Sequence, residues 1–424
     1  MSSDMSDFNA EAQAEAHRDQ AAWAAALTRL PGMGPATLVS ILREHQPREA
    51  WELVCEGRLR RRSRADGGQP AGVSQSLSLF AAGDDQGREG DDGRAWEKAA
   101  SRIEVTGWWD RAARRGVQVT WFGEEDYPEA LVQDPNPPGV LFWRGSLARL
   151  TFPRVAIVGT RNATPDGRAI AFEMARDLTE AGVCVVSGLA LGIDGAAHHG
   201  ALEGLTHEVD AGSAGRPAPP IGVAASGVDV PYPKQHASLW ERVCQAGAVI
   251  SETPPGQPAQ AWRFPTRNRI IAGLSVMVVV VESHSKGGSL ITAEAALERG
   301  VEVRVVPGPV RSPASEGSNQ LLYDGPGPVR CARDVLDALG ILLPDSSGGG
   351  SASAGTRRNS VELSSEEKAI VDAVGWRPSS LGQVVGRSGL AVGRTATILD
   401  ALEARGVLGR EGAWWVRVAH GAGT

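Results

Sequence analysis

Arg263–Ser275 reads RFPTRNRIIAGLS and runs straight into Val276-Met277-Val278-Val279-Val280-Val281, the most hydrophobic strand-like run of the chain. The residue before a proline is pushed out of helical space, and Pro265 suits a first helical position, so a short helix is expected from there. Arg263, Arg267 and Arg269, with Asn268 between the last two, then stand at a helix mouth. Backbone N–H groups are unpaired at such a mouth, and guanidinium groups beside them point to an anion site. A solvated basic turn is the plain alternative. Direct fusion to a buried strand argues against it.

Working outward, the same strand–loop–helix grammar repeats. Val155–Val158 ends in GTRNATPDG, where Thr164 is the expected N-cap and Pro165 the first helical residue. Further strands are expected at Val183–Ser187, Ile221–Ala225, Ala248–Ile250, Val276–Val281 and Glu302–Val306, with helices between them. Short apolar strands alternating with helices indicate a doubly wound, mostly parallel α/β sheet, whose ligands bind at the carboxyl ends of the strands. The loops at those ends carry Gly159 and Arg161, then Tyr232-Pro233-Lys234, then Arg267 to Arg269, and finally Lys286-Gly287-Gly288-Ser289. Together they are expected to form one electropositive, glycine-lined cleft, because glycine lets backbone approach a phosphate closely.

Flanking segments differ in composition. Residues 1–18 form a polar acidic tail, and 19–57 a small helical module. Leu30-Pro31-Gly32-Met33-Gly34 within it is similar to the turn of helix-hairpin-helix and SAM-like modules, where amides can meet a DNA phosphate; a mere connector is the plainer reading, and Arg43 is the one basic residue nearby that would help. Residues 58–94 pass from an arginine cluster through Gly/Ser/Gln to GDDQGREGDDG, too little apolar surface to fold. Residues 95–126 connect to a core at 127–340. A flexible linker at 341–360 leads to 361–419, three helices and a hairpin resembling a winged helix. Its third helix carries Arg394 and Arg405, but Glu362, Glu366, Glu367, Asp372 and Glu403 favour a protein-contact or regulatory role at least as much as DNA.

A chain of 424 residues implies two or three domains, and a net charge of −7 excludes a protein that coats nucleic acid everywhere while allowing a local basic groove. Cys55, Cys184, Cys244 and Cys331 make no CxxC pair, so neither zinc nor a disulfide framework is expected, and a reduced, cytoplasmic setting is. No secretory signal or membrane-spanning run is read.

No complete catalytic constellation emerges. GTRNATPDG is not GxGxxG, since Arg161 replaces the middle glycine, and no GK[ST] follows for a Walker A loop. An arginine there fits a phosphate held at the helix mouth by a side chain. Adjacent His198 and His199 face different sides of a helix, and Asp194 nearby reads more readily as packing than as a metal ligand. Glu282 and Glu294 are candidates for a carboxylate pair or for offsetting the arginines. Trp262 and Phe264 flank Arg263, the mixture of ring and charge wanted by single-stranded nucleic acid, with packing under Pro265 as the alternative for Phe264.

Taken in order, VAIVGTR–x3–P–x–G, VVSGLALGIDGAAHHGAL, GVDVPYPKQH, SETPPG, FPTRNRIIAGLS, GGSLITAEAALERG and VPGP–EGSN–L closely resemble the DNA-processing protein A (Smf) family over about Tyr127 to Gly340. The resemblance implies a Rossmann-like domain and a homodimer. It implies a protein without a known catalytic reaction or cofactor that binds incoming single-stranded DNA in natural transformation, shields it and loads the RecA recombinase. On matching positions it implies a DNA site of Gly159, Arg161, Thr164, Lys234, Phe264, Arg267, Asn268, Arg269, Lys286, Gly287, Gly288 and Ser289, with Arg263 as the substitute for a lysine common at the position of Ala261. Read this way, Arg267 is a phosphate ligand whose loss flattens the salt dependence of binding.

Three positions depart from the family pattern. Ala261 stands where a lysine is common, His236 replaces the asparagine of YPxxN, and Gly204–Pro220 is longer than the usual turn. The sequence also allows two competing readings. GGSLITAE resembles the GGxGTxxE loop of the related nucleotide phosphoribohydrolase (LOG) fold, although Ser289-Leu290-Ile291 breaks its spacing. The other is a nucleotide-sensing regulator whose winged helix binds duplex DNA.

Overall fold

The computed structural model describes residues 20–59, 92–206, 216–341, 363–375, 379–405, 407–411 and 414–417. The expected acidic tail, nearly all of the 58–94 insert and of the 341–360 linker, and the centre of the Gly204–Pro220 loop lie outside the described residues. The chain divides into two compact units, one ending at Pro328 and the other beginning at Val329.

The first unit is built on a nine-stranded sheet: β1 (Gln118–Trp121), β2 (Val140–Gly145), β3 (Arg154–Val158), β4 (Cys184–Ser187), β5 (Ile221–Val223), β6 (Ala248–Ser251), β7 (Met277–Val280), β8 (Glu302–Val305) and β9 (Gly327–Pro328). Their spatial order is β1-β2-β6-β5-β4-β3-β7-β8-β9. From β6 to β9 every pairing is parallel, while β1 and β2 add an antiparallel edge. The chain steps from β3 outward to β6, then returns to place β7 on the other side of β3. The topological switch point therefore lies between β3 and β7, where ligands of such sheets collect.

Helices α1 (residues 20–27), α2 (Pro35–Glu44), α3 (Pro47–Cys55), α4 (Asp92–Ala100) and α5 (Val105–Ala113) precede the sheet. They share one hydrophobic core with β1, with Val140 and Phe142 of β2, and with Trp240 and Val243. Leu141 and Trp143, the alternate β2 residues, join the core on the other face. In the turn before α2 the amides of Met33 and Gly34 bond internally, and Arg43 lies 5.1 Å from the centre of the Phe122 ring. Those two amides are thus already paired.

The remaining helices of this unit are α6 (Glu129–Val132), α7 (Pro165–Glu180), α8 (Ile193–Gly204), α9 (Ala237–Ala246), α10 (Arg263–Leu274), α11 (Gly288–Glu298) and α12 (Glu316–Tyr323). One expected boundary is corrected. Helix α10 begins at Arg263, so Phe264 is helical and Pro265 is the third helical residue. First-turn amides have no intrahelical partner, so a proline there removes no bond.

The second unit contains α13 (Ala332–Ala338), α14 (Ser365–Val374), α15 (Leu381–Ser388) and α16 (Val392–Ala404), with antiparallel strands β10 (Ser379–Ser380), β11 (Leu408–Glu411) and β12 (Trp414–Arg417). Ser364 and Ser380 start α14 and α15 through reciprocal capping boxes. Ile370, Val384, Leu399, Leu402 and Trp415 form its core. Arg394 donates to Glu366 at 2.6 Å and Arg405 is paired with Glu367, so the two arginines noted on the expected third helix are tied to carboxylates of α14.

Candidate nucleic-acid interface

At the switch point the loops after β3 and β7 meet. Glu282, 6 % exposed, extends its carboxylate across the N-terminus of α7. It accepts the Thr164 amide at 2.9 Å and the Thr164 hydroxyl at 2.6 Å, while the same hydroxyl accepts from the Gly167 amide at 3.0 Å. Gly167 is required by this approach, because a Cβ there would lie 2.4 Å from the carboxylate. Thr164, expected in the DNA pocket, thus serves as helix cap and glutamate donor.

A second buried network covers the ends of β3, β4 and β5. Asp194, at the start of α8, accepts the Gly188 amide at 3.1 Å. Burial pushes its carboxyl pKa up, opposed by Arg267 and by the amides of Ala190, Gly188 and Gly159. Arg267, only 5 % exposed, donates to the Gly188 carbonyl at 2.7 Å, to the Val223 carbonyl, and to Asn268 Oδ1 at 3.2 Å. Burial pulls its pKa down to about 10 against the pull of Asp194. Carbonyls and amides at the strand ends need partners when buried, and this charged pair supplies them. Gly188 leaves room for it, since a Cβ would come 2.6 Å from the Arg267 guanidinium. Asn268 donates to the Gly288 carbonyl at 3.2 Å, joining α10 to α11.

What reaches solvent is different. Arg161 is exposed and places its guanidinium carbon 4.8 Å from the centre of the Phe264 ring. Phe264, half-buried, lies 5.5 Å from the Tyr232 ring with their planes at 50°. Tyr232 is 43 % exposed and Trp262 53 %, and Arg263 lies 5.0 Å from the Trp262 ring centre while donating to the Pro258 carbonyl. Lys234, two residues beyond Tyr232, and Lys286, on the loop after β7, are exposed.

The sequence-predicted site therefore separates into two layers. Arg161, Phe264, Arg263, Lys234 and Lys286 reach the surface. Arg267 and Asn268 form the buried support, with Gly159 and Thr164 half-buried beside them. Arg269 pairs with Glu252 at 2.5 Å, Ser289 donates to the Ser283 hydroxyl at 2.8 Å, Gly287 caps α11 with its own amide bonded to His284, and Gly288 is exposed at the first helical position. Tyr232 is the surface residue that sequence reasoning left out. Its loop position was recognised, but its proximity to Phe264 depends on how the loops after β5 and β6 converge.

His236, the departure from YPxxN, bonds the Leu189 carbonyl at 2.9 Å, so a side-chain hydrogen bond is made at this position. Leu189 has φ of 59°, a conformation that costs a non-glycine residue energy and is sustained by its surroundings. His198 is fully buried in α8, and burial pushes its pKa down to about 3. A folded-state pKa below the unfolded value near 6.5 means stability present above that pH and lost as pH falls toward 3. Thermal unfolding between pH 7 and 4 is expected to show a declining midpoint that is flatter in His198→Gln.

Residues 118–340 match the family model for DNA recombination-mediator protein A. The DNA processing protein DprA of Bacillus subtilis is 37% identical over 226 residues, covering 53% of this chain and 72% of that protein. A putative DNA processing protein DprA of Mycobacterium tuberculosis is 37% identical over 294 residues, covering 67% of this chain and 70% of the relative. The solved structure of DNA processing protein A from Streptococcus pneumoniae superposes with a TM-score of 0.52 at 33% identity, over 58% of this chain and 81% of that one. With more than half of its length matched, including the whole parallel sheet and both layers of the site, this chain belongs to the DNA recombination-mediator protein A family.

Proposed function

We propose that this protein binds single-stranded DNA along the carboxyl edge of its parallel sheet and, as a homodimer, hands the strand to the RecA recombinase without catalysing a reaction itself. The observation that carries the DNA reading is Arg161 over Phe264 with Tyr232 alongside, and Lys234 two residues further on. Rings present faces to successive bases, and the cations follow the phosphates. The relatives' names as DNA processing proteins support the same assignment, and the family's description as a recombination mediator supports a handover to a recombinase. A non-catalytic role is supported by the commitment of Asp194 and Glu282 to neighbouring amide and hydroxyl groups. Such a role fits a cytoplasmic protein that protects incoming DNA during transformation. In the C-terminal unit, α14 to α16 and the three-stranded sheet support a winged helix. The ion pairs of Arg394 and Arg405 favour a protein partner for it over DNA.

The test is fluorescence anisotropy with labelled single-stranded and duplex oligonucleotides across a salt series. Tight, salt-sensitive binding that prefers single strands is expected. Arg161→Ala and Lys234→Ala are each expected to lower the log–log salt slope by roughly 0.7 for one lost phosphate contact. Absence of binding at low salt would overturn the reading.

A further inference from the structure

We propose that Glu282 is a specificity residue: its carboxylate occupies the phosphate seat of the switch point, so the sheet edge accepts phosphodiesters and turns away phosphate monoesters. In doubly wound sheets an anionic ligand sits on a helix N-terminus at that crevice, held by free amides. Here the crevice lies between β3 and β7, and the helix is α7. At its cap the Thr164 amide and hydroxyl both go to Glu282 at 2.9 and 2.6 Å, and the Gly167 amide goes to the Thr164 hydroxyl at 3.0 Å. The carboxylate is buried and fits against Gly167, so it is seated and not swinging free. The neighbouring cradle is filled in the same way, with Asp194 holding the Gly188 amide.

Two consequences follow from the charges. A terminal phosphate carries about −1.5 to −2 near neutral pH, and close approach to a buried carboxylate repels it. A phosphodiester carries a single charge and does not need the amide seat. Exposed Arg161 and Lys234 can meet it from outside. The inference deepens the proposed function by naming the phosphate chemistry of that same site, and its small-molecule arm is read without DNA.

The experiment is titration calorimetry of the full chain with inorganic phosphate, with dAMP and with deoxyadenosine, using wild type, Glu282→Ala and Glu282→Gln, each checked for folding by circular dichroism. Wild type is expected to bind dAMP no more tightly than deoxyadenosine. Glu282→Ala empties the seat and is expected to bind phosphate at least about tenfold more tightly than wild type, equivalent to about 1.4 kcal/mol. Glu282→Gln removes the charge but still fills the seat, and a smaller gain is expected.

A folded Glu282→Ala protein with no gain would overturn the proposal, as would a wild type that binds dAMP more tightly than deoxyadenosine. If Glu282→Ala does not fold, wild type decides through oligonucleotides with and without a 5′-phosphate. Equal affinity supports the proposal, and tighter binding of the phosphorylated strand overturns it. If neither strand binds, the DNA reading fails while the dAMP comparison still decides the role of Glu282.

Discussion

Arg267→Ala is expected to destabilise the α/β unit by about 3–5 kcal/mol, the usual effect of removing one of two opposite buried charges. The loss has two parts. The carbonyls of Gly188 and Val223 lose their donor, and Asp194 is left buried without its counter-charge. The second part gives the effect a pH signature. Burial already raises the Asp194 pKa while Arg267 opposes the rise, so removing Arg267 raises it further. A carboxyl whose folded-state pKa is raised favours the fold below its unfolded value of about 3.9 and loses that contribution as pH climbs through the folded value. The variant is therefore expected to lag wild type more at pH 8 than at pH 5 in urea unfolding followed by circular dichroism. A variant of wild-type stability with a flatter salt dependence of DNA binding would instead restore Arg267 as a phosphate ligand.

Phe264→Ala is expected to weaken single-strand binding by about 1–3 kcal/mol, the range for loss of one base-stacking ring. Its salt slope is expected to stay at the wild-type value, because no phosphate contact is removed. Phe264→Trp keeps a ring and is expected to retain most of the affinity. Arg161 adds a further expectation. Its guanidinium occupies the ring that a base would use, so stacking and the release of Arg161 toward a phosphate are one event. The double variant is then expected to lose less than the sum of the two single losses, as coupled neighbours do. Additive losses, or a slope change in Phe264→Ala alone, would count against stacking on this ring.

Much of the parallel sheet was legible because its strands are buried on both faces. Val155–Val158 and Val276–Val281 read as unbroken apolar runs for that reason. Helix α7 was legible at its start, where Thr164 and Pro165 carry local signals. The order of the strands was not, since the placement of β7 beside β3 is a long-range pairing that leaves no local trace. That order decides the site. Arg161 and Arg267 look alike as loop arginines in the sequence, yet one lies on the surface and the other under it. Glu282 was read against Glu294 or against the arginines, whereas its donors come from Thr164, 118 residues away. Tyr232 stayed hidden for the same reason, since its aromatic neighbour belongs to another loop.

The placement of Arg161 also bears on how the protein behaves when no strand is bound. Tyr232 and Trp262 stand open on one edge of the sheet, and adjoining apolar surface of that kind promotes self-association. A guanidinium laid on the Phe264 ring presents charge and water where bare carbon would otherwise face a neighbouring molecule. The residue that would meet the incoming phosphate is thus also, in its absence, a hydrophilic cover over the Phe264 ring.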